Sequence, residues 1–372
     1  MFPMITSSAL AVNRFMPVLS PRISHNFLDI WGHLSYHNAG NQRSGTHLWL
    51  RQISMPLFIR EEEVLSLLPM ADALACVEEA FRLYGSGKAV NTPRTRVRTE
   101  GATLHSMAAA IPSLRALGYK AYTTARGRAQ FHFYLYDSES GELLAVVQAN
   151  HLGQIRTGAA SGVATRHMAR RDAKVLGVIG TGFQAVTQVE AVCAVRPIER
   201  AVVFGRQAER RRAFCEEMTH RLGGLPVHPA ERPEDAVRAA DVLVTITSSR
   251  EPVFDGSHLK AGTHVNAAGS NSLLRREIDD ETVRRSGVIV VDDREQARVE
   301  CGDLFGPVQR GTLSWEAVRE LGEVVAGRSP GRRDDSEITL FASQGLAVED
   351  VAVGLHVYRR AQEQGAGVEI AL

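Results

Sequence analysis

The chain lacks the patterns that would place it in a membrane, a disulfide scaffold or a metal-binding class. No window reaches the roughly 18 consecutive apolar residues that a membrane-spanning helix needs, so no membrane partner is expected. The four cysteines lie far apart and form no C-x-x-C pair, which is typical of a reduced, cytoplasmic enzyme. The 13 histidines show no metal-ligand spacing, so we expect no metal site.

The sequence also has little net charge, because 43 basic residues oppose 42 acidic ones and leave +1 over 372 residues. It contains no basic patch interleaved with aromatic residues, so nucleic acid is not an expected partner. Residues 1–54 contain a single acidic residue, Asp29, and show no helical or strand period. A transit peptide is compatible with this segment, but an upstream start codon, with the working chain beginning near Met55, explains it better. We predict that residues 1–54 are a poorly ordered extension.

What the sequence does contain is a strand, a glycine turn, a helix and a second strand in succession. Residues 175–179 form an apolar run that is too short for a helix, which predicts a buried parallel strand. Residues 180–185 then read G-x-G-x-x-A, the dinucleotide-binding fingerprint. A helix over 183–195 and a strand over 201–204 follow at the spacing of a βαβ unit. This context predicts a Rossmann-type nucleotide site.

Each position of the fingerprint has a physical task. Gly180 makes the turn, Gly182 lets the backbone approach a pyrophosphate, and Ala185 allows the helix to pack closely. The amides at the start of the helix point at the phosphates, where unpaired donors and the helix dipole favour an anion. The predicted cofactor-binding residues of this turn are Gly180, Gly182, Phe183, Gln184 and Ala185.

The tip of the second strand indicates which nucleotide binds. An NAD enzyme usually has an acidic residue there for the ribose hydroxyls, whereas this chain has Arg206 between Gly205 and Gln207. Arg206 can pair with a 2′-phosphate and no carboxylate repels it, so NADP(H) is the preferred cofactor, with NAD(H) possible. Arginines also occupy positions 210–212, and at least two of these three are expected to form a solvated helix face.

The α/β alternation continues beyond the fingerprint. The predicted elements are a short helix over 233–239 and strands over 241–247, 263–269 and 287–292. Ligands of such sheets bind at the carboxyl ends of the strands. This rule adds Thr247 and Gly269 to the predicted cofactor-binding residues.

The flanking segments predict a smaller domain of mixed α and β structure. The predicted elements are strands over 104–107, 119–124, 131–137 and 143–148 and, after a polar linker at 330–335, a strand over 338–341 and a helix over 347–362. The predicted fold class is α/β. A doubly wound Rossmann-type domain spans 173–329, and an α+β substrate-binding and dimerisation domain is discontinuous, at 55–172 and 330–372.

Three cationic residues of the smaller domain stand in unusual places. Arg94 follows Pro93 between a helix and a strand, Lys120 interrupts an apolar strand, and Arg156 and Thr157 precede a helix rich in small residues. Taken singly, Arg94 is compatible with a surface arginine and Lys120 with a lysine whose head group reaches water. An arginine at a helix start is electrostatically unfavourable unless it serves a ligand. The three cations could therefore converge on one carboxylate.

Several motifs occur in a characteristic order. They are Pro93-Arg94, Gly118-Tyr119-Lys120, Ile155-Arg156-Thr157, the G-x-G-x-x-A turn, residues 262–269, residues 321–324 and residues 345–350. This order resembles the ornithine cyclodeaminase and mu-crystallin family over roughly residues 55–360. The resemblance implies a homodimer whose first domain supplies both the substrate pocket and the subunit contact, followed by a Rossmann domain.

The resemblance also implies roles for individual residues. It assigns the substrate carboxylate to Arg94, Lys120 and Arg156, and contact with the cofactor phosphates to Thr157. The family includes cyclodeaminases, alanine dehydrogenases, reductases of cyclic and acyclic α-imino acids, and crystallins that retain ketimine reductase activity. The fold alone cannot choose among these activities.

Two departures from the cyclodeaminases favour a reductase. The aspartate that follows their Asn-Ala-x-Gly strand corresponds to Asn271, and an amide cannot take a proton near neutral pH. A glutamate that they place in the strand region corresponds to His105, so a group able to bind a δ-amine is lost. Reduction of a protonated imine needs less from these positions, because the hydride comes from the cofactor.

We therefore predict an NAD(P)H-dependent reductase of 2-imino carboxylates, of the ketimine, pyrroline-2-carboxylate or iminosuccinate type, which forms an amino acid. Lys120 is the candidate for proton transfer because a lysine among cations in a desolvated site has a lowered pKa, and a water held by Asn271 is the alternative. Ornithine cyclodeaminase and a non-catalytic, crystallin-like protein that binds NADPH and a small ligand are the alternative functions. The predicted pocket wall comprises His105, Met107, Tyr122 and the loop after Gly269.

Overall fold

The computed structural model describes residues 55–371, so the prediction of a poorly ordered segment over 1–54 lies outside the described residues. The first elements are, in order, β1 (Leu57–Ile59), α1 (Glu61–Leu67), α2 (Met70–Gly85), β2 (Val90–Asn91), β3 (Thr95–Arg98), β4 (Thr103–Ile111), β5 (Ala116–Ala125), β6 (Arg128–Asp137), β7 (Leu143–Gln148) and α3 (Asn150–Met168). The remaining elements are β8 (Val175–Ile179), α4 (Ala185–Val195), β9 (Arg200–Phe204), α5 (Ala208–Arg221), β10 (Val227–Pro229), α6 (Pro233–Ala239), β11 (Val242–Thr245), β12 (His264–Ala267), α7 (Asp280–Arg285), β13 (Ser286–Val291), α8 (Arg294–Glu300), α9 (Gly302–Gln309), β14 (Arg319–Glu320), α10 (Leu321–Val325), β15 (Ile338–Ala342), α11 (Ala347–Gln364) and β16 (Val368–Glu369).

The first sheet is built mainly from the strands that precede α3. Its strand order is β16-β1-β7-β6-β5-β4-β2, with β3 paired to β4. The pairs are antiparallel except for β1 with β7. Arg126 and Gly127 form the two-residue turn from β5 to β6 with φ of +48° and +75°, as the twist of a tight hairpin requires.

Helix α11 covers one face of this sheet, where it lies against β4, β5 and α2. The approach is close, because a Cβ added at Gly354 would lie 2.2 Å from a ring carbon of Phe133. On the same face, Lys120 stands between Met107 and Phe133 in the cross-strand register. The packing of α11 therefore buries Lys120 and excludes it from bulk water.

The second sheet is parallel, with the order β10-β9-β8-β11-β12-β15-β13-β14. All five residues of β8 are buried, because helices cover both faces of such a sheet. Close packing continues between α3 and α4, where a Cβ at Gly158 would lie 2.4 Å from the carbonyl oxygen of Thr187. The predicted α/β class with a doubly wound, Rossmann-type unit is confirmed.

One strand assignment in the predicted domain division is wrong. Strand β15 was expected in the smaller domain, but it lies between β12 and β13 in the second sheet, where Leu340 pairs with Val265 and Ile289. All five residues of β15 are buried, which is the pattern of an interior parallel strand. The chain returns to the first sheet only afterwards, with α11. The position of an apolar strand after a long linker does not reveal which sheet accepts it.

Two helix starts also differ from the predictions. Helix α3 begins at Asn150, so Arg156 and Thr157 lie in its second turn rather than before it. Arg156 therefore does not lie at the positive end of the α3 helix dipole. The residues that pair with Arg156 have to explain its position. Helix α4 begins at Ala185, so Phe183 and Gln184 belong to the turn that precedes it.

Among the helices of residues 55–371, none is long and apolar enough to cross a membrane. Within the same range, no group of three or more His, Cys, Asp or Glu side chains is arranged to hold a metal ion.

Candidate functional site

Two cavities meet at the carboxyl ends of the strands of the second sheet. Their volumes are about 590 Å³ and 580 Å³, and both are lined by Gly182 and by the residues that follow β11, Ile246, Thr247 and Ser248. The first reaches under the antiparallel sheet, and the second extends along the tip of β9. A ligand that spans both would have one end beside Arg94, Lys120 and Arg156.

The second cavity is lined by the glycine turn that a dinucleotide site needs. Gly180 has φ of +123°, and an added Cβ would lie 2.3 Å from the carbonyl oxygen of Ile246, so only glycine fits this turn. Gly182 is different, because no described atom lies within 4 Å of the position of an added Cβ. The space in front of Gly182 is therefore open for phosphates. The fingerprint geometry suits NAD(P).

The other predicted cofactor-binding residues divide between the two cavities. Gly180 and Arg206 line the second cavity, whereas Thr157, Phe183, Gln184, Thr247 and Gly269 line the first, and Thr247 lines both. Ala185 is fully buried at the start of α4, which agrees with its expected role in packing. The hydroxyl of Thr157 donates a hydrogen bond to the carbonyl oxygen of Gly153 at 2.7 Å.

The arginines beyond β9 have different environments. Arg210 and Arg212 are exposed, as expected for two of the three, and Arg210 also lines the nucleotide cavity. Arg211 is buried: its guanidinium lies 5.8 Å from the ring centre of Phe204 and pairs with Glu231 at 2.9 Å. Arg206 and Arg210 are therefore the two cations of this group that line the nucleotide cavity.

The three cations singled out in the sequence lie at one cavity. Arg94, Lys120 and Arg156 all line the first cavity, and so does Asn271. They come from three separate elements: the segment after β2, strand β5 and helix α3. All three are buried, so their charges act in a region of low dielectric where an anion is bound strongly. The fold thus brings together three cations that span more than 60 residues of the sequence.

Each of these cations also has a buried carboxylate partner that sequence reasoning missed. Arg94 pairs with Glu300 at 2.6 Å. Lys120 contacts both oxygens of Asp350, at 2.9 and 2.7 Å. The partners of Arg156 are Glu349, at 3.0 Å, and the same Asp350, at 3.1 Å. The sequence did contain a sign of two of these partners, because the motif at residues 345–350 includes two acidic residues, which lie at the start of α11.

Another buried carboxyl, Asp292, lies beneath the segment that joins β15 to α11. It accepts hydrogen bonds from the backbone N–H groups of Gln344 and Gly345, two residues that line the cavity. Burial, together with Glu349, raises the pKa of Asp292 to about 7, and burial also raises the pKa of Glu349. Both shifts favour the neutral form of these carboxyls, a direction that leaves more positive charge at the cavity for an anion.

Burial acts on Lys120 in the opposite sense. Burial and the nearby Arg156 lower the pKa of Lys120 to about 8, although Asp350 partly opposes the shift. An ammonium group with such a pKa is charged at neutral pH and yet gives up its proton readily. Lys120 is thus suited both to holding a carboxylate and to supplying a proton.

A further buried acid, Glu277, joins the two strand ends that line the cavity. One of its oxygens accepts from the N–H and the hydroxyl of Thr247, at 2.5 and 2.7 Å. The other accepts from the hydroxyl of Thr245 at 3.0 Å and the N–H of Gly269 at 2.7 Å. Glu277 therefore fixes Thr247 and Gly269 relative to each other. Its place in the sequence, ten residues beyond β12, gives no sign of this role.

The predicted pocket wall is correct in part. Tyr122 lines the cavity together with Phe131, and their rings stack at 4.5 Å. His105 lies behind Tyr122, stacked at 4.2 Å, and Met107 lies under Arg94, with Sδ 3.2 Å from Nε. Burial and Arg96 lower the pKa of His105 to about 4, so this ring is neutral. The wall is therefore aromatic and uncharged.

A comparison with protein families bears on this arrangement. A model of the ornithine cyclodeaminase/mu-crystallin family matches residues 55–365. The chain belongs to this family. The resemblance inferred from the motif order is therefore confirmed, and it extends over nearly all of the described residues.

Three solved structures are similar to this ornithine cyclodeaminase/mu-crystallin family protein. The Δ1-pyrroline-2-carboxylate reductase of Thermococcus litoralis, in complex with NADH and L-proline, is 36% identical, with a TM-score of 0.81 over 84% of this chain and 100% of that one. An archaeal alanine dehydrogenase dimer with bound NAD is 36% identical, with a TM-score of 0.80 over 85% and 99%. The iminosuccinate reductase of Paracoccus denitrificans, in complex with NAD⁺, is 30% identical, with a TM-score of 0.80 over 86% and 100%. The predicted class, a nicotinamide-dependent imine reductase of this family, is confirmed.

Proposed function

We propose that this protein reduces 2-imino carboxylates to amino acids with NAD(P)H, and that cyclic imino acids of the pyrroline-2-carboxylate type are its preferred substrates. The observation that carries the proposal is the single cavity where Arg94, Lys120 and Arg156 face the nucleotide-binding turn at Gly182. The similar enzyme from Thermococcus litoralis holds NADH and L-proline, which is the product of such a reduction.

The cations of the cavity fix the substrate by its carboxylate. Arg94 and Arg156 supply guanidinium charges at the cavity, and Lys120 supplies a compact ammonium. The aromatic wall of Tyr122 and Phe131 then accepts an apolar ring, and it offers no charge to a second carboxylate. This combination orients the imine carbon towards the strand ends that carry Thr247.

The chain's own residues hold the cofactor and manage the proton. NAD(P)H, when bound, supplies the hydride that reduces the imine carbon. The residues that hold it are Thr157, Gly180, Gly182, Phe183, Gln184, Thr247 and Gly269, with Ala185 keeping α4 close to the turn. Lys120 Nζ gives a proton to the imine nitrogen, so that the C=N bond gains hydride at carbon and a proton at nitrogen. Asn271 holds a water that is the alternative donor.

The test of this function is a substrate screen with both cofactors. Oxidation of NADPH and NADH is followed with pyrroline-2-carboxylate, piperideine-2-carboxylate, iminosuccinate, and pyruvate with ammonia. We expect the two cyclic substrates to give the highest kcat/KM. Proline release from ornithine without oxidation of NADPH by any imine would contradict the proposal and favour a cyclodeaminase, against which Asn271 argues.

We further propose that NADPH is preferred over NADH. Arg206 and Arg210 line the nucleotide cavity beyond β9, and an exposed guanidinium there gains a charge-assisted pair only with a 2′-phosphate. Replacing Arg206 with serine should raise KM for NADPH about 10-fold and leave KM for NADH nearly unchanged. Arg212→Ser is the matched control, since Arg212 is exposed on α5, the helix that follows Arg206, and pairs with Glu209. Equal KM changes for both cofactors would argue against this preference.

We propose that the protein is a homodimer, as the similar archaeal alanine dehydrogenase is. The face of the first sheet opposite α11 carries half-buried Tyr119, Tyr134 and Tyr136, with Tyr119 stacked on Tyr134 at 4.6 Å and 6.3 Å from Tyr136. Leu117, on the same face, is 39% exposed. An apolar, aromatic sheet face of this kind is typical of a subunit interface, where a second copy covers it.

Light scattering after size exclusion tests the dimer. Tyr134→Asp places a charge at the centre of the proposed interface and should convert the dimer to a monomer. Leu65→Asp is the control, because Leu65 is 52% exposed on α1, away from that sheet face. A wild-type protein that elutes as a monomer at micromolar concentration would contradict the proposal.

We also propose a reducing compartment such as the cytoplasm. All four cysteines, which lie among the described residues, are free thiols.

A further inference from the structure

Asp350 occupies an unusual place for a carboxylate. It is the fourth residue of α11 and is fully buried. Both of its oxygens face the Lys120 ammonium, at 2.9 and 2.7 Å, and one also accepts from Nε of Arg156 at 3.1 Å. A single carboxylate thus joins two cations that come from different elements, β5 and α3.

We propose that Asp350 is a positioning residue for the reduction, which holds the Lys120 ammonium at the cavity wall beside Arg156 and sustains its charge. The proposal rests on the function proposed above, in which Lys120 supplies the proton. Asp350 itself acts through Lys120.

The surroundings of Lys120 explain why it needs this partner. Arg156 of α3 and Arg94 of the segment after β2 both face it, and each like charge makes the ammonium form less favourable. Burial has the same effect. Asp350 is the group that raises the pKa of Lys120 against these influences. Without Asp350, the pKa of Lys120 should fall below about 8 and the proton would be lost near neutral pH.

The neighbouring residue, Glu349, provides a matched comparison. It is equally buried and also contacts Arg156, through Nη1 at 3.0 Å, but its other oxygen accepts from the N–H of Leu346 at 2.8 Å. Among its described contacts, none is with Lys120. Replacing Glu349 therefore weakens the hold on Arg156 and leaves the direct contact between Asp350 and Lys120 in place.

The experiment compares the pH dependence of kcat/KM for the wild type, Asp350→Asn, Glu349→Gln and Asp350→Glu with pyrroline-2-carboxylate and NADPH. For the wild type, kcat/KM should fall as pH rises above about 8, because Lys120 loses its proton there. In Asp350→Asn this alkaline limb should move down by about one pH unit, so that lost protonation alone lowers kcat/KM at pH 7 about 2-fold. Glu349→Gln should raise KM, and the pH of its alkaline limb should stay within a few tenths of a unit of the wild-type value.

Fluorescence titration with NADPH reports whether each variant is folded. If Asp350→Asn does not fold, Asp350→Glu tests the proposal instead. Its retained carboxylate should keep the pH of the alkaline limb at or above the wild-type value. Its kcat should fall, because the longer side chain displaces the Lys120 ammonium. A limb that does not move in a folded Asp350→Asn, or that moves equally in Glu349→Gln, overturns the proposal.

The outcomes separate this inference from the function on which it rests. If the wild type reduces no imine, the proposed function fails. If it reduces imines with an alkaline limb that persists in Lys120→Arg, the role of Lys120 fails and the role of Asp350 fails with it. If Lys120→Arg abolishes the limb and Asp350→Asn leaves it in place, only the role of Asp350 fails.

Discussion

Replacing Lys120 with methionine is expected to lower kcat for imine reduction by about 1,000-fold, because it removes both the proposed proton donor and one cation of the carboxylate site. Methionine has a similar length and fills the space between Met107 and Phe133. The substitution also leaves Asp350 paired with Arg156 Nε, so the buried carboxylate keeps one cationic partner. Steady-state kinetics at saturating NADPH and imine give the change in kcat directly.

Lys120→Arg separates the two roles of the lysine. A guanidinium keeps the positive charge beside Asp350, but it does not release a proton near neutral pH. We expect KM for the imine to stay within a few-fold of the wild type while kcat falls about 100-fold. If Lys120→Met kept more than a tenth of the wild-type kcat, with NADPH bound normally, the assignment of Lys120 would be wrong. In that case a water held by Asn271 becomes the donor to examine.

The nucleotide-binding half of the site was predictable because its requirements are local. The turn at 180–185 is defined by backbone conformation and close approach, and both need glycine at fixed positions, as the positive φ of Gly180 shows. Helix α6 was likewise predicted with its observed bounds, since Pro233 at its first position and the short apolar period are local signals. The pattern of neighbouring residues is sufficient for such features.

The substrate half was predictable for its three cations, Asn271 and Tyr122, but not for the buried acids that surround the cations. A lysine in an apolar strand is conspicuous in a sequence, so Lys120 was recognised, but its partner Asp350 lies 230 residues away. Acidic residues in the first turn of a helix are common because they favour the helix dipole, which made Glu349 and Asp350 inconspicuous. Glu277 was missed for a similar reason, since its four hydrogen bonds depend on the spacing of β11 and β12.

The misplaced strand explains how the site is assembled. Strand β15 lies within the second sheet, and after the short segment 343–346 the chain enters α11, which packs on the first sheet. That segment lines the cavity, and the first turn of α11 carries Glu349 and Asp350 to Arg156 of α3 and Asp350 to Lys120 of β5. The connection between the sheets is therefore part of the site. The predicted domain boundary at residue 330 assigns β15 and α11 to the same domain. It therefore does not show that the segment between them connects the two sheets.

Arg94 and Arg96 allow the carboxylate site to be tested with a pair of substitutions that disturb the same acid. Both arginines pair with Glu300, Arg94 through Nη1 at 2.6 Å and Arg96 through Nη2 at 2.5 Å. Arg94 lines the cavity, whereas Nη2 of Arg96 donates a hydrogen bond to the backbone carbonyl oxygen of Asn271 at 3.0 Å. In either single variant, Glu300 keeps one arginine, so the cost of an unpaired buried charge is similar in both.

Arg94→Met should raise KM for the imino carboxylate about 100-fold, which corresponds to the loss of a charge-assisted hydrogen bond of about 3 kcal/mol. Arg96→Met should raise KM by less than about 5-fold, because it removes no direct contact with the substrate. Thermal unfolding of the two variants provides the control, since similar losses of stability show that Glu300 is disturbed equally. Equal KM values for the two variants would mean that Arg94 serves Glu300 alone, and the substrate carboxylate would then be held by Lys120 and Arg156 without it.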